Sequence, residues 1–248
     1  MHRFYIAPNR WNLDALVLDE AESHHAADVL RLQPGDRVVV FNGQGTEATA
    51  EIVSLSKRSV ALKAIHHAKT SPLACRITLG QAIPKGKNMD LIVQKATELG
   101  AASIAPLLSE RTVVQCDQAD AEKKREKWQD VVIEAAKQCG QNWLPTVQTP
   151  LSLKDFFATG DRYDLMLIAS LQPDARHPRE VFAEYHGASG KKPASVLVLV
   201  GPEGDFTPAE IALAKSCGCR PITLGPIVLR TETAALYCLS LLNYELLS

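Results

Sequence analysis

The chain has 248 residues, enough for one large domain or two ordinary ones, and its 46% hydrophobic content is that of a globular protein with a sizeable core. Its 27 basic residues stand against 28 acidic ones, so net charge argues for no polyanionic partner, while a local basic face stays open. The amino terminus lacks a charged region followed by an apolar one, and no apolar run reaches membrane-spanning length, so a cytoplasmic protein with no membrane partner is expected.

Residues 1 to 70 read as a small β-domain of short alternating segments separated by turn signals. A short helix is expected around Ala21 to Leu30. Strands follow at Arg37 to Phe41, Thr46 to Val53 and Ser59 to Ile65, the first two joined by the hairpin turn Asn42-Gly43-Gln44-Gly45. Eight basic and eight acidic residues balance in this stretch. A nucleic-acid grip and a structural cap or dimerisation element are therefore equally open.

Thr70-Ser71-Pro72 reads as a linker, and from Arg76 onward strands and helices alternate in α/β fashion. Arg76 to Ile83 is a strand, and Pro84-Lys85-Gly86-Lys87 is a loop. Met89, Ile92, Val93, Ala96 and Leu99 recur at helical spacing up to Gly100. Ser103 to Leu108 is the next strand, and Ala119 to Cys139 a long helix whose mixed charges form a solvated first turn. Further on come a short strand at Thr146 to Gln148, a short helix at Ser152 to Phe157, a buried strand at Leu165 to Ala169 and a surface loop at Gly187 to Pro193. The six cysteines (Cys75, Cys116, Cys139, Cys217, Cys219, Cys238) show no paired metal or disulfide spacing, which predicts buried, reduced thiols.

The organising stretch is the last one. Ser195 to Val200 is a continuous apolar run suited to a strand covered on both faces, and it stops at the turn Gly201-Pro202-Glu203-Gly204. Thr207, Pro208 and Glu210 then read as N-cap, first-turn proline and capping-box glutamate of a short helix. A second strand, Pro221 to Leu224, leads into Gly225-Pro226-Ile227-Val228-Leu229-Arg230 and a last apolar helix, with Thr231 and Glu232 as N-cap and dipole-matched acid. Ligands bind at the carboxyl ends of strands in open α/β sheets. There Gly201, Gly204 and Gly225 let loop backbones close on a ligand, and Leu224, Ile227 and Leu229 offer an apolar wall. Taken singly, these are ordinary tight turns and core leucines; together, at two successive strand ends, they point to a site. Glu203 reads equally well as a functional acid and as a turn acceptor, and Arg230 has little structural reason to be where it is.

The usual signatures of dinucleotide, P-loop, α/β-hydrolase and zinc sites are absent from the sequence. His24-His25 and His66-His67 are adjacent pairs, and neighbours on a strand face opposite ways, so no metal site is expected there.

Val200 to Thr207 with Glu210, followed by Leu224-Gly225 and Leu229 to Ala235, closely resembles the RsmE family of SPOUT methyltransferases. Lys85-Gly86, Met89-Asp90, Gln94 to Gly100, Glu134-Ala135-Ala136 and Gln138 fit the same family. So do His24, Val29 to Leu32 and Pro34 to Asp36, and the resemblance covers essentially the whole chain. It implies an α/β fold class: a SPOUT-type methyltransferase domain at 73 to 248 with a trefoil knot, plus a small PUA-like β-barrel at 1 to 70 that binds RNA. It implies methylation of N3 of a uridine in small-subunit (16S) ribosomal RNA, S-adenosylmethionine as cofactor, no metal, and a homodimer with its active site near the protomer interface. Alternatives are a SPOUT enzyme acting on another RNA atom, such as a ribose 2′-oxygen, and a non-catalytic RNA-binding or ribosome assembly factor.

On this reading Arg230 stabilises the uracil oxygens electrostatically, and the base is open between Glu203, Glu232 and water. The cofactor set is Leu199, Gly201, Gly204, Leu224, Gly225, Ile227, Leu229 and Thr233. Candidate phosphate contacts are Arg31, Lys85, Lys87, Lys95 and Arg111. Two positions depart from the family pattern: Gln141 stands where an arginine is common, and Asp205 where a second glycine is usual.

Overall fold

The computed structural model of the chain describes residues 1–56, 58–86, 88–112 and 117–247; Lys87 and Cys116 lie outside these. The chain divides into two compact units, the first made of Met1–Pro72 with Ile133–Leu144, the second of Leu73–Val132 with Pro145–Ser248.

In the first unit β1 (Arg3–Tyr5), β2 (Leu16–Val17), β3 (Arg37–Phe41), β4 (Thr46–Leu55) and β5 (Val60–Lys69) form a sheet in the order β1-β3-β4-β5-β2. It is a half-barrel with β1 and β2 at its edges. Phe4, Leu16, Leu18, Val38, Val40, Ile52 and Val60 are buried on its inner face, as the alternation along the strands requires. The turn between β3 and β4 works through Asn42, whose Oδ1 accepts from the backbone N–H groups of Gln44 and Thr46. The expected helix near residue 21 is real but changes character. α1 (Glu20–His24) is capped by Asp19, then widens into a π turn at His25–Val29. His24 and His25 therefore sit on helical backbone, and only His66 and His67, on β5, face opposite ways as strand neighbours do.

The second unit is a parallel sheet flanked by helices. Its strands are β6 (Arg76–Ala82), β7 (Ser103–Leu108), β8 (Thr146–Val147), β9 (Leu151–Ser152), β10 (Leu165–Ala169), β11 (Ser195–Val200) and β12 (Arg220–Ile222). The order is β12-β10-β11-β6-β7-β8, with β9 also on β7. The helices are α2 (Asn88–Glu98), α3 (Gln118–Cys139), which runs on into the first unit, α4 (Leu153–Ala158), α5 (Pro178–Ser189), α6 (Pro208–Ser216) and α7 (Thr231–Leu246). Val196 to Val200 are all buried, matching the continuous apolar run. α5 takes in the first part of the stretch read as a surface loop and ends at Gly190, whose φ of +68° closes it. No helix among the described residues is long and apolar enough to cross a membrane.

The strand order carries the functional consequence. From β10 the chain moves to β11, then recrosses β10 to reach β12 on its far side. The carboxyl ends of β10, β11 and β12 thus lie side by side where the direction of winding reverses, which is where open α/β sheets leave a crevice.

Candidate active site

A cleft opens at those three strand ends. Its open space, mouth included, is about 540 Å³, and its walls come from Ala169 to Leu171 after β10, the turn after β11, and the segment 224–229 after β12. Leu224, Ile227, Val228 and Leu229 give it an apolar side, and Gly201, Glu203, Asp205 and Thr231 a polar one.

The segments are held by hydrogen bonds that local sequence explains. Thr207 and Glu210 form the expected capping box at the start of α6. The buried Glu210 carboxylate also accepts from Ser109 Oγ and the Glu110 N–H, so the residues after β7 are fastened to the start of α6. From that segment the Arg111 guanidinium donates to the Gly204 carbonyl. Glu203 Oε1 accepts from the Lys85 N–H at 3.0 Å and so ties the loop after β6 to the turn. Asp205 has a φ of +62°, a left-handed backbone more readily adopted by glycine. Its Oδ1 accepts from the Phe206 N–H at 2.7 Å and its Oδ2 from the Leu171 N–H at 3.4 Å. Gly225 has a φ of +113°, which requires glycine.

Behind the cleft lies a contact that sequence reading did not suggest. Gln81, fully buried at the end of β6, donates from Nε2 to the Ala82 carbonyl and to Thr231 Oγ1. The carbonyl can only accept, so it fixes the amide orientation. Thr231 Oγ1, accepting from Gln81, donates to the Gly201 carbonyl at 2.7 Å. Thr231 is thus the first helical residue of α7 and a brace for the turn, while Arg230, with extended backbone, occupies the N-cap position read as Thr231's. Gln81 Oε1 has no partner among the described residues.

The expected site residues are brought together in part. Gly201, Glu203, Leu224, Gly225, Ile227 and Leu229 line the cleft. Gly204 sits under Arg111 instead. Leu199 is wholly buried in the core with Leu197, Leu107 and Phe206, and does not line the cleft. Arg230 is exposed, between two lining residues, Leu229 and Thr231. Glu232 is half-buried in the first turn of α7, and Thr233 is exposed next to it; neither lines the cleft. Of the candidate phosphate contacts, Arg31 and Lys85 are exposed, Lys95 is engaged by Glu98 at 2.8 Å, and Arg111 by Gly204. Lys87 lies outside the described residues. Ala169, Ser170, Leu171, Pro202, Val228 and Ala234 were not foreseen as lining residues. For the first three the missing information was that β10 neighbours β11.

S-adenosylmethionine, which the resemblance implies, needs an apolar slot for its adenine, backbone groups for its polar edges and acceptors for its cationic end. The leucine-rich wall, the glycine-bearing loops and the Asp205 carboxylate fit that set. Among the described residues no group of three or more His, Cys, Asp or Glu side chains is placed to hold a metal ion.

Comparison with known proteins agrees with this geometry. A family model described as an RNA methyltransferase domain matches residues 71–243, and one described as an RNA methyltransferase PUA domain matches residues 18–69. The chain is 31% identical over 99% of its length to the Ribosomal RNA small subunit methyltransferase E of Bacillus subtilis, covering 97% of that protein. A solved structure from Legionella pneumophila, described as a methyltransferase with the cofactor SAM bound, superposes with a TM-score of 0.87 at 34% identity, covering 98% of this chain and 97% of that one. A Ribosomal RNA small subunit methyltransferase E from Neisseria gonorrhoeae bound to S-adenosyl methionine gives 0.85 at 30% identity, covering 99% and 98%. Cleft, strand order and full-length likeness converge, and the chain belongs to the RsmE family of RNA methyltransferases.

Proposed function

We propose that the protein methylates N3 of a uridine in small-subunit (16S) ribosomal RNA, with S-adenosylmethionine as methyl donor. The observation that carries this reading is the convergence of the turn after β11 and the segment after β12 on one cleft, braced by Thr231. The names of its relatives and the bound cofactor of its structural neighbours support the substrate and the donor.

Bound S-adenosylmethionine supplies a methyl group activated on a sulfonium. The protein's own work is alignment, exclusion of water and handling of one proton. Uridine N3 is protonated at neutral pH, and its lone pair is available only once that proton leaves. Glu203, the one of the two candidate acids that lines the cleft, takes the proton; base catalysis of this kind is typically worth about 10²–10⁴-fold. Arg230, exposed beside the cleft, stabilises the charge left on the uracil oxygens. N3 is reached only in an unpaired or flipped nucleotide. The PUA module grips the RNA with Arg31 as an exposed phosphate contact, and Lys85 of the methyltransferase domain adds a second. The reading includes a knotted cofactor domain and a cytoplasmic homodimer; exposed Leu171, Ile227 and Val228 around the cleft give such a dimer apolar surface to bury.

Nucleoside mass spectrometry of 16S RNA from a deletion strain tests the proposal. Loss of one N3-methyluridine relative to wild type is expected. An unchanged N3-methyluridine level overturns it, and loss of a ribose methyl instead assigns a different atom.

A further inference from the structure

We propose that Asp205 makes the cleft selective for the methylated, cationic form of the cofactor over its demethylated product, an inference that rests on the function proposed above. Asp205 combines three features. Its φ of +62° is one that glycine adopts freely and aspartate less readily, so the turn alone does not ask for this side chain. Its carboxylate is fixed by the Phe206 and Leu171 N–H groups. The residue also lines the cleft. A carboxylate held in a ligand cleft, where glycine would serve the backbone better, points to a role in that cleft.

The charge balance supplies the role. S-adenosylmethionine carries a sulfonium and an ammonium against one carboxylate, for a net positive charge; S-adenosylhomocysteine has lost the sulfonium charge and is neutral overall. A negative group in the cleft therefore favours the first over the second. Glu203 is the other acid in the cleft wall, but it is exposed, where water screens it, and is turned to the Lys85 N–H. Asp205 is half-buried, with its carboxylate against Gly201: a Cβ on that glycine would come within 3.1 Å of Oδ1. Its field is screened less. The consequence for turnover is that methyl transfer itself weakens the hold on the spent cofactor.

Calorimetry of both ligands against wild type, Asp205→Asn and Asp205→Gly tests this. Asparagine tolerates the left-handed backbone and keeps an acceptor for the Phe206 N–H, so it removes the charge and, besides it, only the long bond from the Leu171 N–H. The expected result is a roughly tenfold loss of S-adenosylmethionine affinity, about 1.4 kcal/mol, with S-adenosylhomocysteine affinity held within about twofold. Equal losses for both ligands mean that Asp205 only shapes the turn and overturn the inference, as does no change in either. Asp205→Gly, which relieves the backbone, removes the same charge and is read in the same way should the asparagine variant fold poorly. If wild type binds neither ligand, the proposed function falls and takes this inference with it; if wild type binds both and the variants keep its preference, only this inference falls.

Discussion

The hydroxyl of Thr231, the first residue of α7, donates to the carbonyl of Gly201, the first residue after β11, at 2.7 Å. This bond joins two segments that line the cleft, and Gln81 behind it sets the direction of the hydroxyl proton. Thr231→Val keeps the shape and removes the link, leaving buried polar groups without partners at a cost of about 1–3 kcal/mol. Chemical denaturation should show that loss, and calorimetry a weaker hold on S-adenosylmethionine. Gln81→Leu should reproduce much of the effect, and the double variant should lose less than the sum, since both residues serve one bonded unit.

Arg230 stands at the entrance to α7 with its side chain exposed and no capping bond. Arg230→Ala should lower methyl transfer by at least about 10²–10³-fold, the usual cost of removing a donor aimed at developing negative charge. Cofactor affinity, read by calorimetry, should stay within about twofold. Unchanged turnover would withdraw the role assigned to this residue.

Lys137 at the end of α3 binds Glu22 of α1 at 3.0 Å, with both side chains about one-tenth exposed. Burial lifts the Glu22 pKa above its ordinary value despite the pull of Lys137. Burial also opposes the Lys137 ammonium, but Glu134 and Glu22 outweigh it, and the Lys137 pKa is raised. Lys137→Ala leaves Glu22 buried without its cation and should cost about 3–5 kcal/mol in denaturant unfolding. Because the lysine pKa is raised in the folded state, its contribution is full below the ordinary value of 10.5 and fades as pH climbs through the folded one. Wild type should accordingly lose more stability between pH 9 and pH 12 than Lys137→Met, as parallel denaturation series will show.

Burial pushes the thiols of Cys219 and Cys238 up to about 12 and that of Cys75 to about 11, from an ordinary 9.0. They stay protonated where an ordinary thiol ionises, and only the thiolate reacts. At pH 8.5 iodoacetamide should label exposed Cys139 long before these three, and unfolding should abolish the difference; peptide mass spectrometry of timed samples reads both.

The elements of the methyltransferase domain could be read from local pattern because their signals are local. The apolar run of β11, the Thr207 and Glu210 capping box and the glycines of both loops each depend on residues a few positions apart. Leu199 illustrates the limit: alternation along a strand does not say which face meets a cleft and which meets the core, and Leu199 proved to be core. Thr231 illustrates another, because a threonine at a helix start reads as a cap until a carbonyl 30 positions earlier is known to lie beside it. Gln81 carried no signal at all. Its partner is 150 positions away, and only the strand order brings them together.

The closing residues of α3 and the segment behind it, Ile133–Leu144, pack with Met1–Pro72. Arg3 donates to Asn142 and Glu22 receives Lys137. Trp143 fills the space beside Gly45, where even a methyl group would sit 2.5 Å from its ring. During synthesis, therefore, the amino-terminal sheet emerges from the ribosome well before the pieces that complete it. The native contacts of that unit are complete only once residue 144 has been made, after the first strands of the other unit.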